Sequence, residues 1–233
     1  MAEEKKAAPR HIGFIMDGNG RWAEKRGMPR NYGHKKGADV IEEVVSHSFD
    51  CGAEAVSLYA FSTENWSRPK SEIDAIFDLL DKFLKRYSGK LVKERIKLVI
   101  SGDISRISAS LRARCEEVTK KTAIFENKTL NIAINYGSRA EIVRAANAVK
   151  AKNQAVTEEN LSAELYTAGM PDIDLVIRTS GEMRLSNFFL WQCAYAELYF
   201  TDVLWPDFGK AELDKALEWF GNRKRRFGGV NNA

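Results

Sequence analysis

A short loop after the first apolar run of the chain combines a carboxylate with residue types that bind anions. It reads Asp17-Gly18-Asn19-Gly20-Arg21 and leads into a helical turn that contains Trp22. The two glycines let the backbone approach a ligand closely, and the free N–H groups of a helix start attract phosphate. A carboxylate beside a phosphate needs a cation between them, and Mg²⁺ prefers one or two carboxylates together with phosphate oxygens. The loop therefore predicts a metal-bound diphosphate, with Asp17 as metal ligand.

Other protein classes use similar loops, but each requires a context that this sequence lacks. Residues 18–23 match the dinucleotide pattern G-x-G-x-x-A, and Asp39 lies about 20 residues further on. Asp39 opens a helical stretch, however, whereas the ribose-binding acid ends a strand. An EF-hand loop requires glycine where Trp22 stands, and no Walker sequence occurs. A nicotinamide- or nucleotide-binding enzyme remains the second hypothesis, and it predicts dinucleotide binding without magnesium.

A second polar cluster follows the next apolar run and spans residues 61–69, Phe-Ser-Thr-Glu-Asn-Trp-Ser-Arg-Pro. Its aromatic faces can shield developing positive charge, while its amide, hydroxyl and guanidinium groups can orient a polar ligand. Arg30 and His34 lie close enough to the first loop to face the same anion. A capped turn and ordinary surface residues are the structural alternatives.

A third cluster begins where another apolar run ends at Arg178 and continues to Asn187. Arg178, Arg184 and Ser186 could bind a second phosphate group, because an arginine fork matches phosphate geometry. The alternative is that Arg178 forms an ion pair with Glu182 or Glu197. Glu197 lies in an aromatic, apolar neighbourhood, which a metal ion or an arginine partner would explain.

Short β-branched apolar runs alternate with amphipathic stretches along the chain. This alternation predicts an α/β fold: a central sheet of about six mainly parallel strands flanked by helices. We predict a single domain over residues 1–233, with a flexible N-terminus at 1–10 and a basic, solvated tail at 223–229. The predicted strands are 11–16, 55–62, 97–101, 130–135, 174–178 and 198–203, and the predicted helices are 37–49, 71–87, 108–125, 138–152, 158–167 and 210–220.

The predicted helix 71–87 carries a stripe of large apolar side chains. They recur at helical spacing: Ile73, Ile76, Phe77, Leu80, Phe83, Leu84 and Tyr87. Such a stripe either packs against the sheet or lines a hydrophobic channel, and the spacing fits both.

Composition sets the broad class of protein. Of 233 residues, 44% are hydrophobic and 29% charged, and the net charge of +4 does not indicate a nucleic-acid partner. Three scattered cysteines predict reduced thiols rather than disulfides or a zinc site. The sequence has neither a signal peptide nor a run long enough to cross a membrane, so we expect a cytoplasmic protein.

The motifs, taken in order, resemble those of the cis-prenyltransferases, and within them the bacterial undecaprenyl diphosphate synthases. The resemblance runs from about His11 to Phe227 and is carried by residues 11–23, 33–37, 59–66, 135–137 and 178–191, together with Glu197. It implies an α/β homodimer with a hydrophobic tunnel and a Mg²⁺-dependent reaction. In that reaction farnesyl diphosphate is extended by isopentenyl diphosphate units with cis double bonds. It also implies a polyprenyl product such as undecaprenyl diphosphate, the carrier precursor for cell-wall polysaccharides, and transient contact with a membrane surface for its release.

The resemblance also assigns roles to residues. It implies that Asp17 is the essential acid and metal ligand, assisted by Glu197, and that Asn65 takes part in proton removal. Because a neutral amide is a weak base, Asn65 could instead orient the substrate while the departing diphosphate takes the proton. The implied substrate-binding residues are Gly18, Asn19, Gly20, Arg21, Trp22, Arg30 and His34 for the allylic diphosphate, Phe61, Ser62, Thr63, Glu64, Trp66 and Arg68 around the reacting atoms, and Arg178, Arg184, Leu185 and Ser186 for isopentenyl diphosphate.

One position departs from the pattern. Met183 stands where many family members carry a histidine, and a thioether is a poor magnesium ligand. A non-catalytic partner subunit with the same fold is the third hypothesis, and retention of Asp17, Asn65, Arg178 and Arg184 argues against it. The trans-prenyltransferases are disfavoured because this sequence has no Asp-Asp pair and an α/β pattern.

Overall fold

A sheet of six parallel strands, in the order β3-β4-β2-β1-β5-β6, forms the centre of the molecule. The computed structural model describes residues 8–225. The predicted parallel sheet is confirmed, with small shifts at the strand ends. The strands are β1 His11–Ile15, β2 Ala55–Ser62, β3 Ile96–Ser101, β4 Lys128–Tyr136, β5 Leu175–Arg178 and β6 Glu197–Phe200.

Helices cover both faces of the sheet. They are α1 Asn19–Glu24, α2 Arg30–Asp50, α3 Lys70–Lys93, α4 Ala109–Thr122, α5 Ser138–Ala151, α6 Glu158–Ala163 and α7 Lys210–Gly221. The last predicted turn of 158–167 is not part of α6. The predicted start of α2 at residue 37 is wrong, because the helix begins at Arg30. Gly33 and Gly37 weaken helix propensity, so the pattern alone missed its first two turns.

The two glycines of α2 make room for α1. A Cβ atom on Gly33 would lie 1.9 Å from the backbone oxygen of Asn19, and one on Gly37 would lie 2.0 Å from Asn19 Oδ1. No Cβ tolerates such distances, so α1 can pack this closely only against glycine. Arg30 and His34 therefore stand on a helix that is in direct contact with the predicted phosphate loop.

Alternation along the buried strands separates the core into two main clusters, and a third, smaller cluster contains Ala145, Leu161 and Leu165. Ile12 and Phe14 of β1 pack into the larger cluster, beneath α2, α3, α4 and α7. Ile15 points to the other face, where Val176 and Phe188 are fully buried. This double coverage explains why the strands read as nearly continuous apolar runs.

The two ends of the described region are held by ion pairs. Arg10, within the segment predicted to be flexible, pairs with Glu54 at 2.9 Å. From the predicted basic tail, Arg223 pairs with Glu197 and Arg225 with Asp174. The remaining parts of both predictions, residues 1–7 and 226–229, lie outside the described residues.

The three cysteines are free thiols, as predicted. Between residues 8 and 225, none of the helices has the length and apolarity needed to span a membrane.

Candidate active site

A cavity of about 370 Å³ opens where the carboxyl ends of β1, β2 and β5 meet. Because these strands are neighbours and parallel, their following loops converge at one edge of the sheet. All three predicted clusters contribute to what we call the polar rim of the cavity: Asp17, Gly18, Asn19, Gly20, Arg21, Arg30, His34, Ser62, Asn65, Arg68, Arg178, Arg184 and Ser186.

Asp17 and Arg178 form the centre of the rim. Arg178 is the last residue of β5, its side chain is 4% exposed, and its Nη2 donates to Asp17 Oδ2 at 3.0 Å. Its Nη1 donates to Ser186 Oγ at 2.7 Å and to the carbonyl oxygen of Arg184. The other oxygen of Asp17 accepts from the backbone N–H of Gly18 at 2.7 Å. The alternative pairing of Arg178 with a glutamate is wrong, since Glu182 pairs with Arg184 and Arg21 instead.

The phosphate loop is held in a conformation that requires glycine. Gly18 has φ +97°, and a Cβ there would lie 2.8 Å from Leu204 and 2.9 Å from Ser180. It precedes α1, whose first turn is not capped by any side chain of the described region. The Arg30 guanidinium lies against Gly20, because a Cβ there would come within 2.5 Å of Arg30 Cζ. Backbone amides and a guanidinium thus stand together, as an anion site requires.

The loop after β5 is strained. Ser180, Ser186, Asn187 and Phe189 all have positive φ, a region that side chains other than glycine rarely adopt. The surrounding structure holds Asn187 there, because its backbone oxygen accepts from Ser138 and its Oδ1 accepts from Arg139. This anchoring places Ser186 Oγ against Arg178.

Asn65 has a fixed orientation. It belongs to a 3₁₀ turn, Thr63–Ser67, whose capping box joins Ser62 and Asn65. The backbone N–H of Ser62 donates to Asn65 Oδ1 at 3.1 Å. Because an N–H donor requires an oxygen acceptor, this bond sets the amide orientation and leaves Nδ2 for the cavity. Asn65 therefore offers the cavity a hydrogen-bond donor.

Glu72 holds three members of the polar rim, although no sequence motif singles it out. Its side chain is 7% exposed and accepts from Arg30 Nε at 3.2 Å, His34 Nε2 at 3.1 Å and Arg68 Nη1 at 3.1 Å. Burial opposes its charge, yet these partners hold the pKa of Glu72 below its usual value. Burial also lowers the pKa of His34, although the hydrogen bond that His34 donates to Glu72 opposes that shift.

The inner part of the cavity is apolar. The side chains that form this apolar wall are Ala38, Ile41, Leu58, Ala60, Ile76, Leu79, Leu80, Phe83 and Ile132. Both readings of the α3 stripe are therefore correct: Ile76 lines the cavity, Leu84 and Tyr87 lie in the core, and Phe83 does both. The site thus joins a cationic rim to a hydrophobic interior.

Comparisons with known proteins identify the family of this chain. The protein-family model described as "Putative undecaprenyl diphosphate synthase" matches residues 15–228 of the chain. The chain belongs to this family of cis-prenyltransferases.

Individual relatives agree over nearly the whole chain. An isoprenyl transferase of Fusobacterium nucleatum is 48% identical over 229 residues, 98% of this chain and 99% of that protein. The crystal structure of lavandulyl diphosphate synthase from Lavandula x intermedia, in complex with dimethylallyl diphosphate, is similar with a TM-score of 0.91 and 33% identity, and covers 95% of this chain and 98% of that one. The crystal structure of a probable undecaprenyl diphosphate synthase from Campylobacter jejuni is also similar, with a TM-score of 0.81 and 38% identity. The match covers 95% of this chain and 99% of that one.

Six residues predicted to contact substrate do not line the cavity of this cis-prenyltransferase: Trp22, Phe61, Thr63, Glu64, Trp66 and Leu185. Phe61 is 1% exposed and packs in the core against Phe77 at 4.8 Å, next to a register irregularity in the pairing of β2 with β4. Leu185 packs against the second core cluster.

Hydrogen bonds hold the other four of these side chains. Trp22 Nε1 donates to Asp207 at 2.6 Å, and Trp66 Nε1 donates to Asn135 Oδ1 at 2.8 Å. Thr63 Oγ1 donates to Glu64, which also accepts from Asn187 Nδ2 at 3.2 Å. These contacts support the loops that carry the rim residues.

The prediction that Glu197 assists Asp17 as a metal ligand is wrong within a single chain. It begins β6 and is in register with Leu175, the first residue of β5, whereas Asp17 follows the far end of β1. The two carboxylates thus lie at opposite ends of the sheet and do not form one metal site in this chain. Glu197 accepts from Arg223 Nε at 3.0 Å, so an arginine explains its position. Met183 is 76% exposed and does not line the cavity.

The position of Asp17 fits a magnesium ion that is held by one carboxylate together with phosphate oxygens. Its side chain is 34% exposed and lies on the cavity rim beside Arg178 and the phosphate loop. Over residues 8–225, the only cluster of three metal-ligating side chains is His47, Cys51 and Asp214, which is not part of the cavity lining. A single carboxylate is too few for a protein-only cage, but it suits an ion that keeps several waters and shares phosphate oxygens.

Proposed function

We propose that this family member extends farnesyl diphosphate by successive cis additions of isopentenyl diphosphate and requires Mg²⁺. One observation carries the proposal: a single cavity joins a rim of arginines and phosphate-binding amides to an apolar wall. A rim with cations on both sides of Asp17 suits two diphosphates, and the apolar wall suits a growing prenyl chain. A dinucleotide enzyme would not need that second set of cations.

The rim suits the first chemical event, in which the allylic C1–O bond breaks and the diphosphate leaves. Negative charge then grows on the leaving oxygens, where Arg21, Arg30 and the amides of α1 can stabilise it more strongly than before the bond breaks. When bound at Asp17, Mg²⁺ would supply further neutralisation of the same charge. Arg178, Arg184 and Ser186 would hold the second diphosphate beside the first.

The second event forms the new carbon–carbon bond. The double bond of isopentenyl diphosphate attacks allylic C1, and a proton then leaves the isopentenyl unit. Since Asn65 presents Nδ2 to the cavity, we propose that it orients a diphosphate oxygen and that the departed diphosphate accepts the proton. Proximity and orientation then supply much of the remaining rate acceleration.

We further propose that the product is a long-chain polyprenyl diphosphate such as undecaprenyl diphosphate, the precursor of the cell-wall carrier lipid. Family resemblance supports this, as it supports a homodimer that works in the cytoplasm and touches the membrane surface when it releases product.

The test is elongation by purified protein supplied with farnesyl diphosphate, labelled isopentenyl diphosphate and Mg²⁺, with and without EDTA. We expect a ladder of products that ends at one preferred length, contains cis double bonds and disappears with EDTA. An inactive but folded protein would support the non-catalytic subunit hypothesis. Activity that survives complete metal removal would overturn the role assigned to Asp17.

A further inference from the structure

Glu72 is buried behind the polar rim, although it is not itself one of the residues that line the cavity. Its three partners, Arg30, His34 and Arg68, all line it. Each carboxylate oxygen is used, since Oε2 accepts from Arg30 and Oε1 accepts from both His34 and Arg68. We propose that Glu72 is a positioning residue, which gathers these three side chains around the allylic diphosphate.

The cluster joins two separate elements. Arg30 and His34 stand on successive turns of α2, whereas Arg68 precedes α3 and Glu72 lies in its first turn. Glu72 therefore holds the start of α3 against α2 at the cavity mouth. Long side chains lose rotamer freedom when they bind a ligand, and a carboxylate that already holds them lowers that loss.

The charges of the cluster give a second reason to assign Glu72 a positioning role. Arg30 and Arg68 are permanently charged, and both oppose protonation of His34. Without an anion between them, these groups would repel one another and turn towards solvent before substrate arrives. One buried carboxylate offsets this repulsion while it keeps out of the space that the diphosphate needs.

Arg30 shows how this positioning reaches the ligand site. Its Nε is held by Glu72, and its guanidinium lies against Gly20 of the phosphate loop. Its Nη1 donates to Glu24 at 2.8 Å, but that carboxylate is 52% exposed. An exposed pair contributes little, so Glu72 is the partner that decides the position of Arg30.

The proposal rests on the proposed function, so its test separates the two. We would measure binding of farnesyl thiodiphosphate with Mg²⁺ by calorimetry, together with steady-state kinetics, for wild type and Glu72→Gln. We expect Glu72→Gln to bind the analogue ~10-fold more weakly and to raise the KM for farnesyl diphosphate by a similar factor. The KM for isopentenyl diphosphate should change less than about two-fold, because Arg178 and Arg184 do not contact Glu72.

Two matched controls remove neighbouring negative charges. Glu24→Gln removes the exposed partner of the same arginine, and Asp74→Asn removes an exposed charge from the first turns of the same helix. Both should leave analogue binding within about two-fold of wild type. If they weaken it as strongly as Glu72→Gln does, general charge loss explains the effect and the proposal fails.

A spectroscopic measurement reports on the cluster directly. The chain has three histidines, so the His34 ring signals can be assigned by comparison with His34→Gln and followed by NMR against pH. Glu72 faces His34 from α3, Arg68 from the segment before α3 and Arg30 from α2. Glu72→Gln removes the only one of these three groups that stabilises the imidazolium, so the pKa of His34 should fall.

The outcomes are distinct. If wild type fails to bind the analogue, the proposed function fails rather than this inference. If wild type binds it and Glu72→Gln binds equally well, or leaves the pKa of His34 unchanged, the positioning role is overturned. Should Glu72→Gln not fold, Glu72→Asp keeps the charge but shortens the side chain, and it should fold and still bind the analogue several-fold more weakly. Unchanged binding by Glu72→Asp would then overturn the proposal.

Discussion

Arg178 Nη2 donates to Asp17 Oδ2 at 3.0 Å, which links the last residue of β5 to the loop after β1. The two strands are neighbours in the sheet, although the two residues are 161 positions apart in the chain. The buried guanidinium thus has a charged partner before any substrate binds. This contact joins the two predicted diphosphate sites at Asp17.

Replacing Asp17 with asparagine tests this centre. Asparagine matches aspartate in size and keeps one oxygen, which can accept from either the Gly18 N–H or Arg178, so we expect a folded protein. Loss of the negative charge should lower the elongation rate at least ~100-fold, because the metal ion that we propose to neutralise the leaving diphosphate would lose its carboxylate ligand. Asp39→Asn is the control, since the ion-pair partner of Asp39 within residues 8–225 is exposed Lys36, at 3.8 Å. Substantial activity in folded Asp17→Asn would contradict the metal role.

Replacing Asn65 with aspartate separates a donor from a base. An aspartate oxygen can still accept from Ser62 N–H, so the capping box should persist and the melting temperature should change little. The cavity, however, would receive an anionic oxygen in place of Nδ2. We expect at least a ~100-fold loss of turnover in single-turnover assays. If Asn65 were the base, the more basic aspartate would retain or increase activity.

The packing of α1 on α2 can be tested at Gly33. Gly33→Ala would place its Cβ 1.9 Å from the backbone oxygen of Asn19, which forces α1 and its phosphate loop to move. We expect the free energy of unfolding to fall by about 1–3 kcal/mol, measured with urea, and farnesyl diphosphate binding to weaken. Gly89→Ala in α3 is the matched control, because no atom of the described part of the chain lies within 4 Å of the added Cβ. It should raise stability by about 0.5–1 kcal/mol.

His11 makes stability depend on pH. Burial lowers its pKa to about 4 from the ordinary value of 6.5, even though its Nδ1 lies 2.7 Å from the carbonyl oxygen of Pro171. The unfolded chain therefore binds this proton more readily than the folded protein does. The neutral ring's full contribution is present above pH 6.5 and is lost as the pH falls towards about 4, a total of about 3 kcal/mol.

Urea unfolding of wild type and His11→Gln between pH 7.5 and pH 4 would measure the contribution of His11 to the free energy of unfolding. Wild type should lose stability more steeply than the variant as the pH falls. Buried His34 and the carboxylates with lowered pKa contribute to both proteins, so the difference isolates His11. Parallel curves would show that His11 does not titrate as described.

Replacing Ala60 tests whether the growing chain lies along the apolar wall. It lies on β2 and lines the cavity, so Ala60→Leu should fill part of the space available to a growing chain. We expect products shorter by one or more isoprene units, resolved by reversed-phase chromatography, with the first addition less affected. Ala151→Leu, at the exposed end of α5, is the control for side-chain size. An unchanged product length would mean that the chain does not grow past Ala60.

Much of the fold could be predicted because its signals are local. Residues 11–15 are buried on both faces, and their nearly continuous apolarity predicts a central parallel strand. The start of α2 was missed because Gly33 and Gly37 look unfavourable until the contact with Asn19 is known. Likewise, the burial of Phe61 in the core could not be inferred from its place in a polar segment.

The sequence by itself determined the residue types of the site: Asp17 within a glycine loop, arginines after a buried strand, and alternating elements that bring loops to one edge. Only the tertiary structure decided which of these meet. Glu72 looks like an ordinary acid in the first turn of a helix, yet it holds Arg30 and His34, which are 42 and 38 residues away. Glu197 belongs to a matching motif, but strand register places it at the opposite end of the sheet from Asp17. Spacing along the chain reports local periodicity, whereas contacts between distant residues depend on strand order, register and side-chain direction.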